Sequence, residues 1–478
     1  MVKATAVLFD APDKAIPAPT RSIAHPVVDA SEDSVTGVGG VVLWGELLDR
    51  LGLVAEADRR DLRPIGPGGY TGGECYRAVV ETQLAGGEFL SDRSLLADEA
   101  TGVLRGTHAL PSHTTLFRFI DGADLGRVQK AAAVNRAMLR RAWSMGAAPA
   151  PGILTIDPDA TWIETSGRKK QGAAFSYKHE VGLSPMLGVV GETGDVLAVR
   201  ARGGSAQAGR AMASFVDECV SALPRDLRGR WQLWLRIDSA GYQKEVVYAA
   251  EANNMVFTIT AQKTTRVQGA IEALARDPET KWLPAIGAEE KKGSEVAECD
   301  FDFAGRKLRM IVRRQATKAG EQLSMDDLDG WRFHAIITNI DAHLRAAAEV
   351  EHHHRLRGGG PEEAIRQLKG DFGLCHGPVG NFYGNWLWWH ASALAYNVAR
   401  WLRVLALPGG LCQLQGQAAP PLLFERRRQG RPPRPAPRAA PASCLPPRRG
   451  VHRCSRETAG AADPNLNSPD LPSPPCSA

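Results

Sequence analysis

The hydrophobic period changes near residue 150, and this change limits the possible folds more than any other feature. Upstream, "VVLWGELLDRLGLVAEADRR" (41–60) has helical periodicity. Residues 145–152, "MGAAPAPG", have the composition of a linker. Downstream, the strand patterns "ILTIDPDATWIE", "WQLWLRIDSAG" and "MVFTITAQ" alternate with helical segments. The sequence therefore predicts an all-α N-terminal region followed by an α/β domain.

The segments between these landmarks predict further elements. "FSYKHEVGLSPMLGVVGETGDVLAVRAR" is typical of two strands joined at "GETGD", so the sheet begins antiparallel. Residues 265–350 contain a helix, a hairpin and a strand, which predict an inserted β-rich lobe. Helices are expected over 361–375 and 381–407. The expected organisation is a flexible arm (1–40), a helical region (41–145), the first part of an α/β core (151–264), the lobe (265–350), the C-terminal helices of the core (351–407) and a disordered tail (408–478).

Two details of the helical region are open to test. Ser91 is a plausible cap for a helix in "SDRSLLADEATGVLRG". The region as a whole could form a helix-turn-helix that reads DNA sequence, but a packing role agrees equally well with the pattern.

Composition excludes several classes of protein. Hydrophobic residues make up 44% of the 478 residues, which is ordinary for a globular protein. No stretch approaches the ~20 apolar residues of a membrane helix, and the first residues have no apolar core of the kind found in signal peptides. None of the eight cysteines forms a C-x-x-C pair, which indicates reduced thiols in a cytosolic protein.

The net charge of +5 is concentrated at one end. From Pro408 onward the chain has ten arginines, no lysine and four acidic residues, among many prolines. The remainder is close to neutral, so DNA contacts of the body must come from local basic patches. A frameshift near residue 410 would explain the tail, and a natural Arg/Pro-rich arm is the alternative.

Acidic residues at strand ends are the candidate catalytic groups. Asp238 follows an apolar strand pattern, and the small residues after it allow a tight turn. Asp157 and Asp159, in "TIDPDAT", are two residues apart and share one face of a strand. A lone aspartate at such a position is more often a turn residue.

A third candidate acid begins a helix at "GGGPEEAIRQLKGDFG" (358–373). Glu362 shares a face with Arg366 and Lys369, and the apolar face lies behind them. Glu363 would be flanked less favourably, and an acid in a first helical turn is favoured by the macrodipole alone. Three converging carboxylates repel one another unless cations intervene, and such oxygen ligands suit Mg²⁺ or Mn²⁺. The "EHHH" run at 351–354 more simply forms a solvated basic run than a metal site.

These blocks together resemble the DDE transposases of bacterial insertion sequences, and most of all insertion-sequence family thirteen-eighty within the wider group of family four. The resemblance runs from about Leu43 to Leu407 and rests on "GGYTGGECYRAVVETQLAGGEFLSD", "LPSHTTLFRF", "IDPDAT", "QGAAFSYKHEVGLSPML", "RIDSAG" and "RLRGGGPEEAIRQLKGDFG". The last block is similar to an R-G-x-x-E-N-x-I-K-E-L-K pattern through Arg357, Gly358, Glu362, Ile365, Leu368 and Lys369. It departs from that pattern at Glu363, Arg366 and Gln367.

The resemblance implies a ribonuclease-H-like core that binds two Mg²⁺ or Mn²⁺ ions. It implies Asp159, Asp238 and Glu362 as metal ligands and catalytic acids, with Asp157 as the alternative first acid. Arg357, Arg366 and Lys369 are implied to bind DNA, and some of Arg313, Arg314, Lys291 and Lys292 are expected to hold phosphates.

The resemblance also implies an activity. Water would hydrolyse a phosphodiester at the transposon end, and the freed 3′-hydroxyl would attack target DNA. Double-stranded DNA is the expected partner, a homodimer the expected state and the bacterial nucleoid, in the cytoplasm, the expected location. The alternatives are an inactive DNA-binding remnant and a nuclease that only hydrolyses.

Overall fold

A nine-stranded mixed sheet, flanked by helices, forms the centre of the described chain. The computed structural model describes residues 38–406 except 39, 64–68, 107, 166, 168, 177–178, 288 and 318–327. The predicted tail, with the frameshift hypothesis, and nearly all of the predicted arm lie outside the described residues. No helix in the described part has the length and apolar character needed to cross a membrane.

The N-terminal region is helical, as its periodicity predicts. The helices are α1 (Val41–Arg50), α2 (Leu53–Arg59), α3 (Gly72–Leu84), α4 (Glu99–Arg105), α5 (His113–Asp121) and α6 (Leu125–Ala142). The helical pattern of residues 41–60 is divided in two at Gly52, which adopts φ +65°. The prediction of Ser91 as a helix cap is wrong. Residues 90–96 form a 3₁₀ segment, and Asp98 caps α4 by accepting a hydrogen bond from the Thr101 N–H.

The first half of the α/β part builds one side of the sheet. Its elements are β1 (Gly152–Ala160), β2 (Ile163–Glu164), β3 (Ala174–Phe175), β4 (Val181–Leu183), β5 (Met186–Val190), β6 (Val196–Arg200), α7 (Met212–Ala222), β7 (Trp231–Ile237), α8 (Lys244–Ala252) and β8 (Val256–Thr260). Strands β6, β5 and β1 are antiparallel neighbours, whereas β7 and β8 run parallel to β1. Strands β2–β4 form a separate small sheet.

Residues 265–350 continue the same large sheet. They form α9 (Thr265–Arg276), β9 (Leu283–Pro284), β10 (Glu295–Phe303), β11 (Arg306–Ala316), β12 (Trp331–Thr338) and the start of α10 (Ala347–Arg355). Strand β12 pairs with β8, so the sheet runs in the order β6-β5-β1-β7-β8-β12-β11-β10-β9. The hairpin predicted in this region is β10–β11.

The C-terminal helices are α11 (Pro361–Asp371) and α12 (Phe382–Ala406). Helix α12 is apolar on nearly every face because it is surrounded by protein, and Trp388, Trp389 and Trp401 are buried in the core. Its Asn397 accepts a hydrogen bond from the Val196 N–H and donates one to the Val196 carbonyl. The amide thereby satisfies the backbone at the edge strand β6 and ties the helix to the sheet.

Four of the eight cysteines fall among the described residues, and all four are free thiols. Cys75 and Cys219 are buried, and burial raises the pKa of both. Because the thiolate is the reactive form, a raised pKa lowers the reactivity of both thiols. They behave as small core residues, as expected from the absence of C-x-x-C pairs.

Candidate active site

The carboxyl ends of β1 and β7 bring Asp159 and Asp238 together. The two strands are parallel, and Ile156 lies opposite Leu235. Asp159 lies three residues after Ile156, and Asp238 lies three residues after Leu235. The two aspartates therefore lie side by side at one edge of the sheet. This proximity depends on strand register and not on distance along the chain, which separates the two residues widely.

Each aspartate has one oxygen fixed by its own backbone. Asp159 Oδ1 accepts a hydrogen bond from the Ala160 N–H at 2.8 Å, and Asp238 Oδ1 accepts one from the Ala240 N–H at 2.9 Å. The other oxygens converge on a single cation. Arg357 Nη2 lies 3.0 Å from Asp159 Oδ2 and 3.7 Å from Asp238 Oδ2. The two Oδ2 atoms are therefore no farther apart than the sum of those distances.

Glu362 lies in the first turn of α11, where Pro361 starts the helix. Its side chain is exposed, and it has no hydrogen-bond or ion-pair partner among the described residues. It is nevertheless close enough to influence Asp159. Burial raises the pKa of Asp159 to about 6; the charges of Asp238 and Glu362 add to the rise, and Arg357 opposes it. The three predicted acids thus belong to one electrostatic cluster.

Asp157 occupies a different environment from Asp159. It is completely buried, and both of its oxygens accept hydrogen bonds from Arg236, at 2.6 and 2.7 Å. Burial raises the pKa of Asp157, against the effect of Arg236. Arg236 also donates to the carbonyl of His353 at 2.6 Å, which ties β1 and β7 to α10. Every oxygen of Asp157 is used inside the protein, whereas Asp159 faces the edge of the sheet.

The predicted DNA-binding side chains differ in their burial and in their partners within the protein. Arg357 is mostly buried between the two aspartates, and its Nε is buried without a partner among the described residues. Arg366 is exposed and forms an ion pair with Glu363 at 2.6 Å. Lys369 is half-buried, and burial lowers its pKa.

Three of the four additional phosphate-binding candidates have partners within the protein. Arg313 forms ion pairs with Glu289 at 2.6 Å and Glu351 at 2.9 Å. The guanidinium of Arg314 lies 4.0 Å from the ring centroid of Trp282 and 4.4 Å from that of Trp331. Burial and internal partners hold both arginines in place, so the expectation that they hold DNA phosphates does not agree with their positions. Lys292 forms an ion pair with Glu289, and nothing is described of the Lys291 side chain.

The histidine run is a packing feature, and its interpretation as a solvated basic run is wrong. His354 is buried, and its two ring nitrogens form hydrogen bonds with Thr258 and Thr260 on β8. His353 Nε2 lies 3.1 Å from Thr155 Oγ1 on β1. These contacts attach α10 to the centre of the sheet, directly before Arg357. The sequence pattern misled because α10 lies on the sheet and not in solvent.

The buried histidines predict that acid weakens the fold. Burial, followed by the charge of Arg236, lowers the pKa of His353 to about 4, below its unfolded value of about 6.5. Between these values the unfolded chain binds more protons, so stability falls as pH falls from about 6.5 towards 4. We expect His353→Gln to lose less stability than wild type between neutral pH and about pH 5. Urea unfolding measures this; exposed His343→Gln is the control, and an unchanged pH dependence in His353→Gln would contradict it.

The donor set suits a hard divalent cation. Carboxylate oxygens are the ligands that Mg²⁺ and Mn²⁺ prefer, and the convergent Oδ2 atoms surround a positive charge supplied by Arg357 Nη2. That guanidinium stands where a metal ion would balance the same carboxylates. Among the described residues, no group of three or more His, Cys, Asp or Glu is already arranged to hold a metal. A metal held by Asp159, Asp238 and Glu362 together would require Glu362 to approach the aspartates and Arg357 to leave them.

Sequence reasoning missed Arg236, the internal partner of Asp157. A signal was present, because Arg236 interrupts an otherwise apolar strand in "WQLWLRID". A charged residue at a buried strand position requires a partner, and the parallel register of β1 and β7 places Asp157 beside it.

Comparison with known proteins gives a family match over most of the chain. The model of the family described as "Transposase DDE domain group 1" matches residues 24–417. Among solved structures, the chain is similar to a piggyBac transposase in a cryo-EM synaptic complex with hairpin DNA. The identity is 11%, the match covers 76% of this chain and 75% of that chain, and the TM-score is 0.42. No curated protein matches the chain.

Proposed function

The chain belongs to the transposase DDE domain family, group 1, and from this premise we propose that it cuts DNA at the ends of an insertion sequence and joins them to target DNA. The convergence of Asp159 and Asp238 on one cation, with Glu362 close enough to influence Asp159, is the observation that carries the proposal. Insertion-sequence family thirteen-eighty is the group that we propose within this family, on the sequence blocks described above.

We infer a ribonuclease-H-like catalytic core. The strand order β6-β5-β1-β7-β8, with three antiparallel strands followed by two parallel ones, supports it. The position of the acids supports it too, since Asp159 lies at the carboxyl end of β1, Asp238 follows β7 and Glu362 lies on the later helix α11. Strands β9–β12, which fall between β8 and α10, are the proposed insertion.

Asp159, Asp238 and Glu362 are the proposed ligands of two divalent cations. When bound, such ions activate water and stabilise the oxygen that leaves the phosphorus. Asp159 is proposed as the first acid because one of its oxygens faces the cation position. Asp157 is assigned a positioning role because Arg236 occupies both of its oxygens.

Basic side chains of this chain would contact the DNA. Metal bound by the two aspartates would replace Arg357 as their partner, and its guanidinium would then be available to contact a phosphate. Arg366, exposed on α11, and Lys369 contact the backbone on the same helical face as Glu362. In strand transfer the 3′-hydroxyl forms a new P–O bond as a target P–O bond breaks, so ATP is not required. Because two transposon ends are joined, a homodimer bound to double-stranded DNA is the proposed assembly.

Metal-dependent nicking tests the proposal. We expect purified protein with Mg²⁺ or Mn²⁺ to nick DNA that carries the element's ends, and chelation of the metal to stop nicking while DNA binding persists. Binding without nicking at any metal concentration would instead support an inactive DNA-binding remnant. Nicking without joining in a strand-transfer assay would support a nuclease that only hydrolyses.

A further inference from the structure

An open, polar cleft of about 870 Å³ lies beside Asp238. Its walls come from two segments, residues 205–210 after β6 and residues 238–243 after β7, together with Gln262. Apart from Asp238, the titratable side chains in the lining are Arg210 and Tyr242. The cleft is therefore joined to the proposed catalytic acids through Asp238 alone.

A buried arginine, Arg202, supports the first wall of the cleft, residues 205–210. Arg202 donates hydrogen bonds to the carbonyl oxygens of Gln207, Ala208 and Arg210 at 2.9–3.0 Å, and its remaining donors bind Ser184. It has no carboxylate partner among the described residues. Its guanidinium instead orients these three backbone carbonyls towards itself, which fixes the shape of the loop.

The orientation of these carbonyls determines the direction of the neighbouring N–H groups. In a trans peptide the C=O and N–H point in opposite directions, and no described peptide is cis. The N–H groups of Ala208, Gly209 and Ala211 therefore point away from Arg202. None of the three has a hydrogen-bond acceptor among the described residues. Successive N–H groups that point outward form a concave anion-binding surface.

The loop is packed so closely against the second wall that one position requires glycine. A Cβ on Gly209 would lie 2.5 Å from the Ala240 carbonyl oxygen and would also overlap Gln243. Gln243 in turn donates hydrogen bonds to the carbonyls of Gly209 and Ala240. Next to this contact, Ala211 adopts φ +62°, and α7 begins without a side-chain cap.

The charge around these N–H groups selects an anion. Arg210 is exposed in the cleft, and its guanidinium forms no ion pair with a described residue. Asp238, the acid in the lining, has one oxygen bonded to the Ala240 N–H and the other near Arg357. The cleft thus presents unpaired N–H donors and a free guanidinium, which together match a phosphate.

We propose that residues 207–211 form a phosphate-binding loop that holds a backbone phosphate of the DNA strand beside the phosphodiester to be cut. The proposal rests on the proposed function for the nature of the substrate. The loop would contact phosphate through the N–H groups of Ala208 and Gly209 and through Arg210. It would position the strand without reading its bases, because phosphate contacts carry no sequence information.

DNA binding as a function of salt, with a chelator present, tests the loop apart from catalysis. The probe is a fluorescently labelled duplex of arbitrary sequence, and anisotropy gives the dissociation constant. We expect Arg210→Gln to bind more weakly and to reduce the slope of log K against log salt by about 0.9, the value for one lost phosphate contact. Arg225→Gln, the same change at another exposed arginine, is the matched control and should keep the wild-type slope.

A second pair of variants tests the backbone N–H groups. Gly209→Ala displaces the loop through its overlap with Ala240 and should weaken binding without changing charge. Gly229→Ala is its control, because a Cβ at Gly229 meets nothing within 4 Å. If Arg210→Gln binds with the wild-type slope while wild type still nicks DNA with Mg²⁺, the loop proposal fails and the transposase proposal stands. If wild type neither binds nor nicks DNA, both fail.

Discussion

Glu362→Gln is expected to lower DNA nicking at least about a hundredfold, because loss of groups that merely support a metal ligand already costs 10- to 100-fold. Glu362 is the acid of the cluster that has no partner among the described residues, although its charge reaches Asp159. An unpaired carboxylate beside two others is destabilising unless a cation joins them. We therefore propose metal binding, and not packing, as the reason for its position.

The neighbouring Glu363 supplies a matched control. It accepts hydrogen bonds from Arg366 and from Gln367, and it lies one position along the same helix. Glu363→Gln removes the same charge from the same turn, yet we expect nicking to stay within a few-fold of wild type. The measurement is nicking of supercoiled DNA with Mg²⁺, alongside anisotropy to verify that both variants bind DNA. Equal losses in the two variants would show that Glu362 has no special role.

Asp157→Ala is expected to destabilise the fold by about 3–5 kcal/mol, the usual cost of removing one partner from a buried ion pair. Arg236 would keep its buried charge and lose two hydrogen bonds from one carboxylate. The same arginine holds the carbonyl of His353, so α10 and the residues that follow it would also shift. Urea unfolding of the variant measures the loss.

Two further variants separate this structural role from catalysis. Asp157→Ala combined with Arg236→Met should recover part of the lost stability, because no buried charge remains unpaired. Asp159→Asn should unfold at no lower urea concentration than wild type, because the pKa of Asp159 is raised to about 6 and its charge is unfavourable in the fold. It should nevertheless abolish nicking. A stable Asp157→Ala protein would contradict the structural role.

Much of the secondary structure could be predicted from the sequence because local patterns determine it. The change of period near residue 150, the turn at "GETGD" and the hairpin β10–β11 are confirmed. The three candidate acids were proposed from local signals, since Asp159 ends an apolar strand pattern, Asp238 follows another and Glu362 begins a helix. Local signals do not identify partners, so the pairing of Arg236 with Asp157 and the role of Arg202 were not predicted, although Arg236 interrupts an apolar strand pattern.

Residue types and their periodicity determined which segments become strands and helices, and placed Asp159, Asp238 and Glu362 at the ends of elements. Only the tertiary structure decided which of the two aspartates in "TIDPDAT" faces the edge of the sheet and which is paired inside it. It also decided that Arg357 lies between two acids and that Arg314 lies between two tryptophans. The physical reason is that burial and charge pairing depend on strand register and helix packing, which join residues far apart in the chain.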